Sequence, residues 1–261
     1  MGRKEDRRRI DQVLVDRGFA ESRHKAQALL LAGQVLVGEQ KVEKPGRLVD
    51  PLASIRVIGD MPFVSRSGAK LQAALDHFRV DPAGRICADL GASTGGFTDC
   101  LLQNGAACVH AYDVGAGQLA WKLRSDLRVI LHERCNVRYL TAEDLPDQVS
   151  LIVVDLSFIS LTKIMSPVCE AVRNRIVSWT GRPETLVVDW ILLVKPQFEV
   201  GKGEVGKGGI VRDRKQQLAA LSAVQQSAAA AGLSVAGQLP SPVLGAEGNQ
   251  EYLLHLRLHP V

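Results

Sequence analysis

From about residue 69 to the C-terminus, short apolar runs alternate with longer segments of helical period, and few folds accept that pattern. Strands are expected at 86–90, 108–112, near 129–131, at 151–154 and at 187–194. Helices are expected at 69–78, 97–103, 117–124, 162–174 and 213–231. Alternating β and α units predict an α/β fold, a doubly wound, Rossmann-like parallel sheet with helices on both faces. Two closing strands, about 234–239 and 251–258, would form a hairpin that adds one antiparallel strand.

The first quarter of the chain obeys a different pattern. Ile10, Val13 and Leu14 share a helical face that Gly18 stops, and Ser22 is a good N-cap for a second helix carrying Ala26, Leu29 and Leu30 and closed by Gly33. Val35 and Val37 then alternate with polar residues, and turns at 38–40 and 45–46 separate them from 41–42 and from Ile55, Val57 and Ile58. Residues 1–66 hold 13 Lys and Arg against 9 Asp and Glu, and the rest of the chain holds 19 of each sign. The whole net charge of +4 therefore sits in this first part, as in a module facing a polyanion or in a solvated charged terminus. Arg23, His24 and Lys25 crowd the first turn of the second helix, where the helix dipole disfavours cations. An external phosphate would relieve that, or the side chains fan into solvent. This helix–helix–hairpin order, with Arg8, Arg9, Arg23 and Lys25 expected on the helices, resembles the S4 RNA-binding module over roughly residues 7–60. The expected organisation is a small α+β S4 domain at 1–60 and a catalytic domain at 61–261, with Gly59 to Pro62 as a linker too short for independent tumbling.

Several classes are disfavoured. The five cysteines are odd in number and show no metal-ligand spacing, which reads as reduced, packed thiols with no zinc site or disulfide scaffold, and no metal is expected. No apolar run is long enough to span a bilayer, and residues 1–11 are charged where a signal peptide would be apolar, so a cytoplasmic location is expected.

The strongest site signal is Asp89-Leu90-Gly91-Ala92-Ser93-Thr94-Gly95-Gly96-Phe97, which follows the first sheet strand and opens a helix. Glycines there let a backbone approach a ligand closely, and ligands in open α/β sheets bind beyond the carboxyl ends of the strands. The spacing is G-x-x-x-G-G rather than the dinucleotide G-x-G-x-x-G, so the methionine part of S-adenosylmethionine fits better than a pyrophosphate. Asp113, ending the next strand, is placed to accept hydrogen bonds from a ribose diol. Asn136, after the third, would contact an adenine or cap its own loop.

Four charged residues form a second constellation: Lys70 at the start of the first catalytic-domain helix, Asp155 ending the fourth strand, Lys195 ending the fifth and Glu251 opening the last. Asp155 and Lys195 each abut an apolar strand, where an unpaired buried charge would be costly. Paired at neighbouring strand tips they would offer proton chemistry, or a salt bridge alone. The loop 201–208 satisfies G-x-x-x-x-G-K but has Gly208 where a P-loop needs Ser or Thr for magnesium, so it reads as a basic loop that touches RNA phosphates rather than a nucleotide site. With 5% aromatic residues, base stacking is not expected to dominate RNA affinity.

Taken together, the S4-like start and the segments 65–71, 89–98, 113–119, 155–160, 193–199 and 248–251 resemble the TlyA family, called hemolysin A in older usage. The resemblance implies a class I methyltransferase domain related to the FtsJ-type ribose methyltransferases, with a Lys-Asp-Lys-Glu tetrad falling on Lys70, Asp155, Lys195 and Glu251. It implies S-adenosylmethionine as methyl donor and ribosomal RNA or ribosomal subunits as partner, methylated on cytidine ribose 2′-hydroxyls of either subunit. Lys195 would orient and deprotonate the hydroxyl, or act as a fixed cation for its developing charge. Three rivals stand beside this reading: a nicotinamide-dependent oxidoreductase, an inactive RNA-binding or ribosome-assembly factor, and a membrane-active hemolysin.

Overall fold

The computed structural model describes residues 7–31, 33–38, 40–57, 62–179, 186–201, 203, 205–206, 208–245 and 248–259. The chain divides into two compact units, Met1–Met61 and Pro62–Val261. Ile58, most of the expected linker, residues 180–185 and Lys202, Glu204 and Lys207 of the basic loop lie outside the described residues.

The first unit runs β1 (Arg8–Arg9), α1 (Ile10–Asp16), α2 (Arg23–Leu31), β2 (Val35–Val37), β3 (Gln40–Lys41), β4 (Leu48–Val49) and β5 (Ile55–Val57). β3, β2 and β5 form an antiparallel sheet, and β1 pairs with β4. Ile10, Leu14, Ala26, Leu30 and Val35 are completely buried between the helices and this sheet. Gly18 and Gly33 leave the helices in left-handed conformations (φ +74° and +68°), and Ser22 Oγ accepts a hydrogen bond from the Lys25 amide, as the capping pattern predicts.

One expectation about the arginines needs correction. Arg8 and Arg9 lie on a strand rather than a helix, because they pair with Leu48 and Val49; two residues are too few to carry a period. The cations of α2 are answered from within the unit: Arg23 and Arg9 both bind Asp11, at 3.1 and 2.9 Å, Lys25 binds Glu21 at 2.9 Å, and Arg8 binds Asp16 at 3.0 Å. Asp11 is fully buried and also accepts from Gln27 at 3.0 Å. Hydrogen bonds from Arg9, then from Gln27 and Arg23, hold its carboxyl well below the usual range despite burial. A depressed carboxylate stabilises the fold above its unfolded value near 4, and the contribution is lost as pH falls through the native value. Asp11→Ala should cost on the order of 2 kcal/mol. Hydrogen exchange of 10–37 reads the effect, and acidification from about pH 5 to 2 should loosen this unit more in the wild type than in Asp11→Asn.

The second unit opens with α3 (Arg66–Phe78) and continues β6 (Ile86–Leu90), α4 (Gly96–Gln103), β7 (Cys108–Tyr112), α5 (Trp121–Arg124), β8 (Val129–His132), β9 (Val149–Val154), α6 (Met165–Ser178), β10 (Val188–Val194), α7 (Pro196–Glu199), α8 (Arg214–Ala230), β11 (Ser234–Pro240) and β12 (Tyr252–Leu258). The seven strands stand in the order β11-β12-β10-β9-β6-β7-β8, and β12 alone runs antiparallel to its neighbours. Side-chain alternation explains the near-continuous apolar runs. Ala88, Leu90, Ile152, Val154, Trp190 and Leu192 pack on one face with α6 and α8, and Cys87, Leu151, Val153, Ile191 and Leu193 pack on the other with α3 and α4.

Three elements differ from expectation. The helix expected at 117–124 shrinks to the single turn of α5, because Gly117 takes a left-handed φ of +72° that a helix cannot contain. The 162–174 segment begins as a 3-10 turn, Leu161–Lys163, and α6 follows it. The one-turn helix α7, started by Pro196, was not foreseen, since four residues carry too little periodicity.

Candidate active site

The chain winds outward from β6 through β7 to β8 and then returns to the other side of β6 as β9. That reversal leaves a crevice beyond the carboxyl ends of β6 and β9, the usual ligand position in such sheets. The glycine-rich turn stands there. Gly91 donates to the Tyr112 carbonyl at 2.9 Å, and Asp155 N–H donates to the Leu90 carbonyl at 3.0 Å, so the two strand exits are joined. Gly91 has φ +96°, and a Cβ on it would approach the Asp155 carbonyl oxygen to 2.6 Å. Only glycine satisfies both conditions.

Two adjoining clefts open from this turn. The first, about 270 Å³, is lined by Ser67, Lys70, Thr94, Asp155, Lys195 and Gly245 among others. The second, about 390 Å³, is lined by Asp113, Gln118, Asn136, Val137, Leu156 and Phe158 among others. Gly91, Ser93, Asp155 and Ser157 belong to both, so Asp155 stands on the boundary between them.

Lys70, Asp155 and Lys195 line the first cleft, Glu251 lies buried behind Lys70, and the four form two ion pairs. Lys70 Nζ lies 2.5 Å from Glu251 Oε2, and both side chains are nearly buried. Lys195 Nζ lies 2.6 Å from Asp155 Oδ1 and donates to Ser157 Oγ at 2.8 Å. The Lys195–Asp155 contact is a close ion pair rather than an aligned hydrogen bond, since Oδ1 has no hydrogen-bond partner of good geometry. Asp155, Lys195 and Glu251 each stand one position outside a strand, at the tips of β9, β10 and β12, and Lys70 stands in the N-terminal half of α3.

The residues of the glycine-rich turn serve different purposes. Ala92, Ser93 and Thr94 line the first cleft with Gly91 and Phe97. Gly95 (φ +97°) starts α4, where a Cβ would strike Leu119 and Leu123, and Gly96 leaves room for Ser65 and Ser67. Asp113 accepts from the Ser93 amide through Oδ2 and from the Gly115 amide through Oδ1, each at 2.7 Å. No ion pair to it is formed among the described residues, which leaves its outer lone pairs facing the second cleft without a protein cation. Asn136 caps its own loop, its side chain accepting from Arg138 N–H at 3.1 Å at the start of the turn Val137–Tyr139, and it also lines the second cleft.

Asp89 lies beneath the turn, fully buried, and accepts from Thr98 Oγ1 at 2.6 Å while its Oδ1 has no partner. Burial pushes its carboxyl up to about 7, and the charges of Asp155 and Asp113 push the same way. A carboxyl raised above its unfolded value near 4 favours the fold while protonated, and that stability is lost as pH rises through the native value. The cofactor-free protein should therefore lose melting temperature between about pH 4 and 7. Asp89→Asn should flatten that slope, as scanning calorimetry would show.

Sequence reasoning passed over Phe158 and Glu199. Phe158 is 91% exposed in a left-handed conformation (φ +65°), lines the second cleft and packs at 5.2 Å against Phe198. A ring available for stacking stands at the site although aromatics are scarce overall, which composition averages away.

A family model described as FtsJ-like methyltransferase matches residues 63–258, and one described as S4 domain matches residues 8–52. The 16S/23S rRNA (cytidine-2′-O)-methyltransferase TlyA of Mycobacterium tuberculosis is 45% identical over 96% of this chain and 90% of its own length. The chain belongs to the TlyA family of FtsJ-like methyltransferases. Hemolysin A of Brachyspira hyodysenteriae, at 40% identity over 95% of this chain and 98% of its own, is another such relative. A solved structure from Streptococcus thermophilus, carrying a provisional hemolysin label, shares the fold with a TM-score of 0.71 and 37% identity over 97% of this chain and 89% of its own. Membership in this family replaces the oxidoreductase alternative. Among the described residues no helix is long and apolar enough to cross a membrane.

Proposed function

We propose that the protein transfers the methyl group of S-adenosylmethionine to ribose 2′-hydroxyls of ribosomal RNA, cytidines above all. The observation that carries this reading is the pair of joined clefts, with Asp113 in one and Lys70, Asp155 and Lys195, backed by Glu251, in the other. The second cleft suits an adenosine: its volume lies in the small-ligand range, Asp113 offers acceptors to a diol, and the Gly91 cradle permits close backbone approach. Asp155, on the boundary, presents negative charge to a cationic ligand.

When bound, S-adenosylmethionine supplies an electrophilic methyl carbon on a sulfonium. The chain's own residues must then hold the ribose oxygen in line and accept the charge that develops as its proton leaves. Lys195, aligned by Asp155 and Ser157, is the residue placed to do this, and its ion-paired geometry supports the fixed-cation role over the general base. Lys70, at the first cleft, and the buried Glu251 behind it neutralise each other and tie the N-terminal half of α3 to the start of β12. The four candidate RNA-gripping side chains, Arg8, Arg9, Arg23 and Lys25, are roughly half exposed even in their ion pairs, so they remain available to phosphates.

Incubation with methyl-labelled S-adenosylmethionine and unmodified small subunits, large subunits or naked ribosomal RNA tests the partner. Label in one of these, falling steeply with added salt, is the expected result. Cofactor binding with no label in any of the three would leave the methyltransferase fold in place and exclude ribosomal RNA.

A further inference from the structure

We infer that Glu199 is a positioning residue that sets the register of Lys195 against Asp155. The inference rests on the reading of those two residues as catalytic. The sheet alone does not fix their geometry, because each begins a loop: β9 exits into Asp155 to Ser160, and β10 exits into Lys195 and α7. One turn later the two loops are joined again. Glu199 Oε2 accepts from Ser160 Oγ at 2.6 Å, and Oε1 accepts from the Leu161 amide at 2.8 Å. The exposed ring contact of Phe158 and Phe198 lies between the two junctions in sequence. Lys195 and Glu199 thus sit at the two ends of α7, one bound to Asp155 and Ser157, the other to Ser160 and Leu161.

The chemistry of the junction separates reach from charge. Glu199 is largely buried and forms no ion pair among the described residues. Burial pushes its carboxyl upward, and the two donated hydrogen bonds pull part of the way back. A buried carboxylate without a cation contributes little as a charge and much as two acceptors at a fixed distance from the backbone. Glutamine keeps that reach: its carbonyl accepts from the Leu161 amide, and its amide donates to Ser160 Oγ, which can turn its own hydrogen to Thr162 Oγ1, 2.6 Å away. Aspartate keeps the charge and loses one methylene of reach, so it cannot serve both donors.

The test compares the full-length wild type with Glu199→Gln, Glu199→Asp and Glu199→Ala. Methyl transfer to the accepted RNA, S-adenosylmethionine binding by calorimetry, and hydrogen exchange of 155–161 and 195–200 are followed. The expected pattern is near-normal kcat for glutamine and a fall of about 10²-fold for aspartate and alanine. Cofactor affinity should hold in all four, and faster exchange of the Leu161 amide should appear only in the last two. Aspartate retaining kcat while glutamine loses it would overturn the inference, since charge would then matter rather than reach. Equal exchange and equal kcat in all four would do the same. If alanine fails to fold, the glutamine and aspartate pair decides. A wild type that binds cofactor but methylates no RNA counts against the proposed function, and the exchange pattern then still tests the positioning role.

Discussion

Lys195→Ala will leave S-adenosylmethionine bound and abolish methyl transfer. The lysine stands at the tip of β10 with Asp155 at 2.6 Å and Ser157 at 2.8 Å, and it lines the first cleft only. Its loss removes the cation proposed to face the reacting oxygen, while the second cleft, with Asp113 and Asn136, keeps its lining. Deleting one preorganised donor at a developing oxyanion costs about 10²–10³-fold in kcat, and a hydroxyl no longer beside a cation also gives up its proton to solvent less readily. A fall of at least about 10³-fold, some 4 kcal/mol in the barrier, is expected in single-turnover assays. Cofactor affinity should change by less than about threefold, or under 1 kcal/mol. The substitution also leaves Asp155 without its ion-pair partner at a site only partly open to water, so a modest loss of stability should accompany it. Retained turnover would remove Lys195 from the catalytic role.

Gly91→Ala will damage cofactor binding and stability together, the opposite signature. The backbone at Gly91 sits at φ +96°, where an L-residue is strained by about 1–3 kcal/mol. The added methyl would also meet the Asp155 carbonyl, a backbone atom that cannot swing aside. Relief requires the exits of β6 and β9 to part, which breaks the Asp155–Leu90 hydrogen bond and shifts Asp155. A destabilisation of about 3 kcal/mol is expected in urea titration. S-adenosylmethionine affinity should fall at least tenfold, about 1.4 kcal/mol. Wild-type affinity in a folded Gly91→Ala protein would show that the turn does not cradle the cofactor.

These contrasting outcomes mark what a single chain of letters discloses. The sheet was legible because both faces of its strands are buried, so Ile86–Leu90, Cys108–Tyr112 and Val188–Val194 stand out as apolar runs between helical periods. Asp155 and Lys195 were legible because a charge abutting such a run must lie at its end. The ion pairs were not: nothing local in Lys70 and Glu251 states that residues 181 positions apart meet at 2.5 Å. In the first unit Arg8 and Arg9 were placed on a helix because their strand partners, Val49 and Leu48, lie about 40 residues away in the sequence, and nothing local states that Arg9 and Arg23 meet at the buried Asp11. Gly117 was read as part of a helix because a glycine's sign of φ is set by its surroundings. Glu199 only closes the segment 193–199 in the sequence, and the fold alone brings Ser160 and Leu161 to it.

The chemistry of the product is the most direct test of the account. Ribosomal RNA labelled by the enzyme is digested to nucleosides, and the methylated species are identified by mass spectrometry beside a Lys195→Ala control. The account predicts 2′-O-methylcytidine with the label on the ribose, and no label from the variant. Label on a base, or 2′-O-methylation undiminished in the variant, would contradict it.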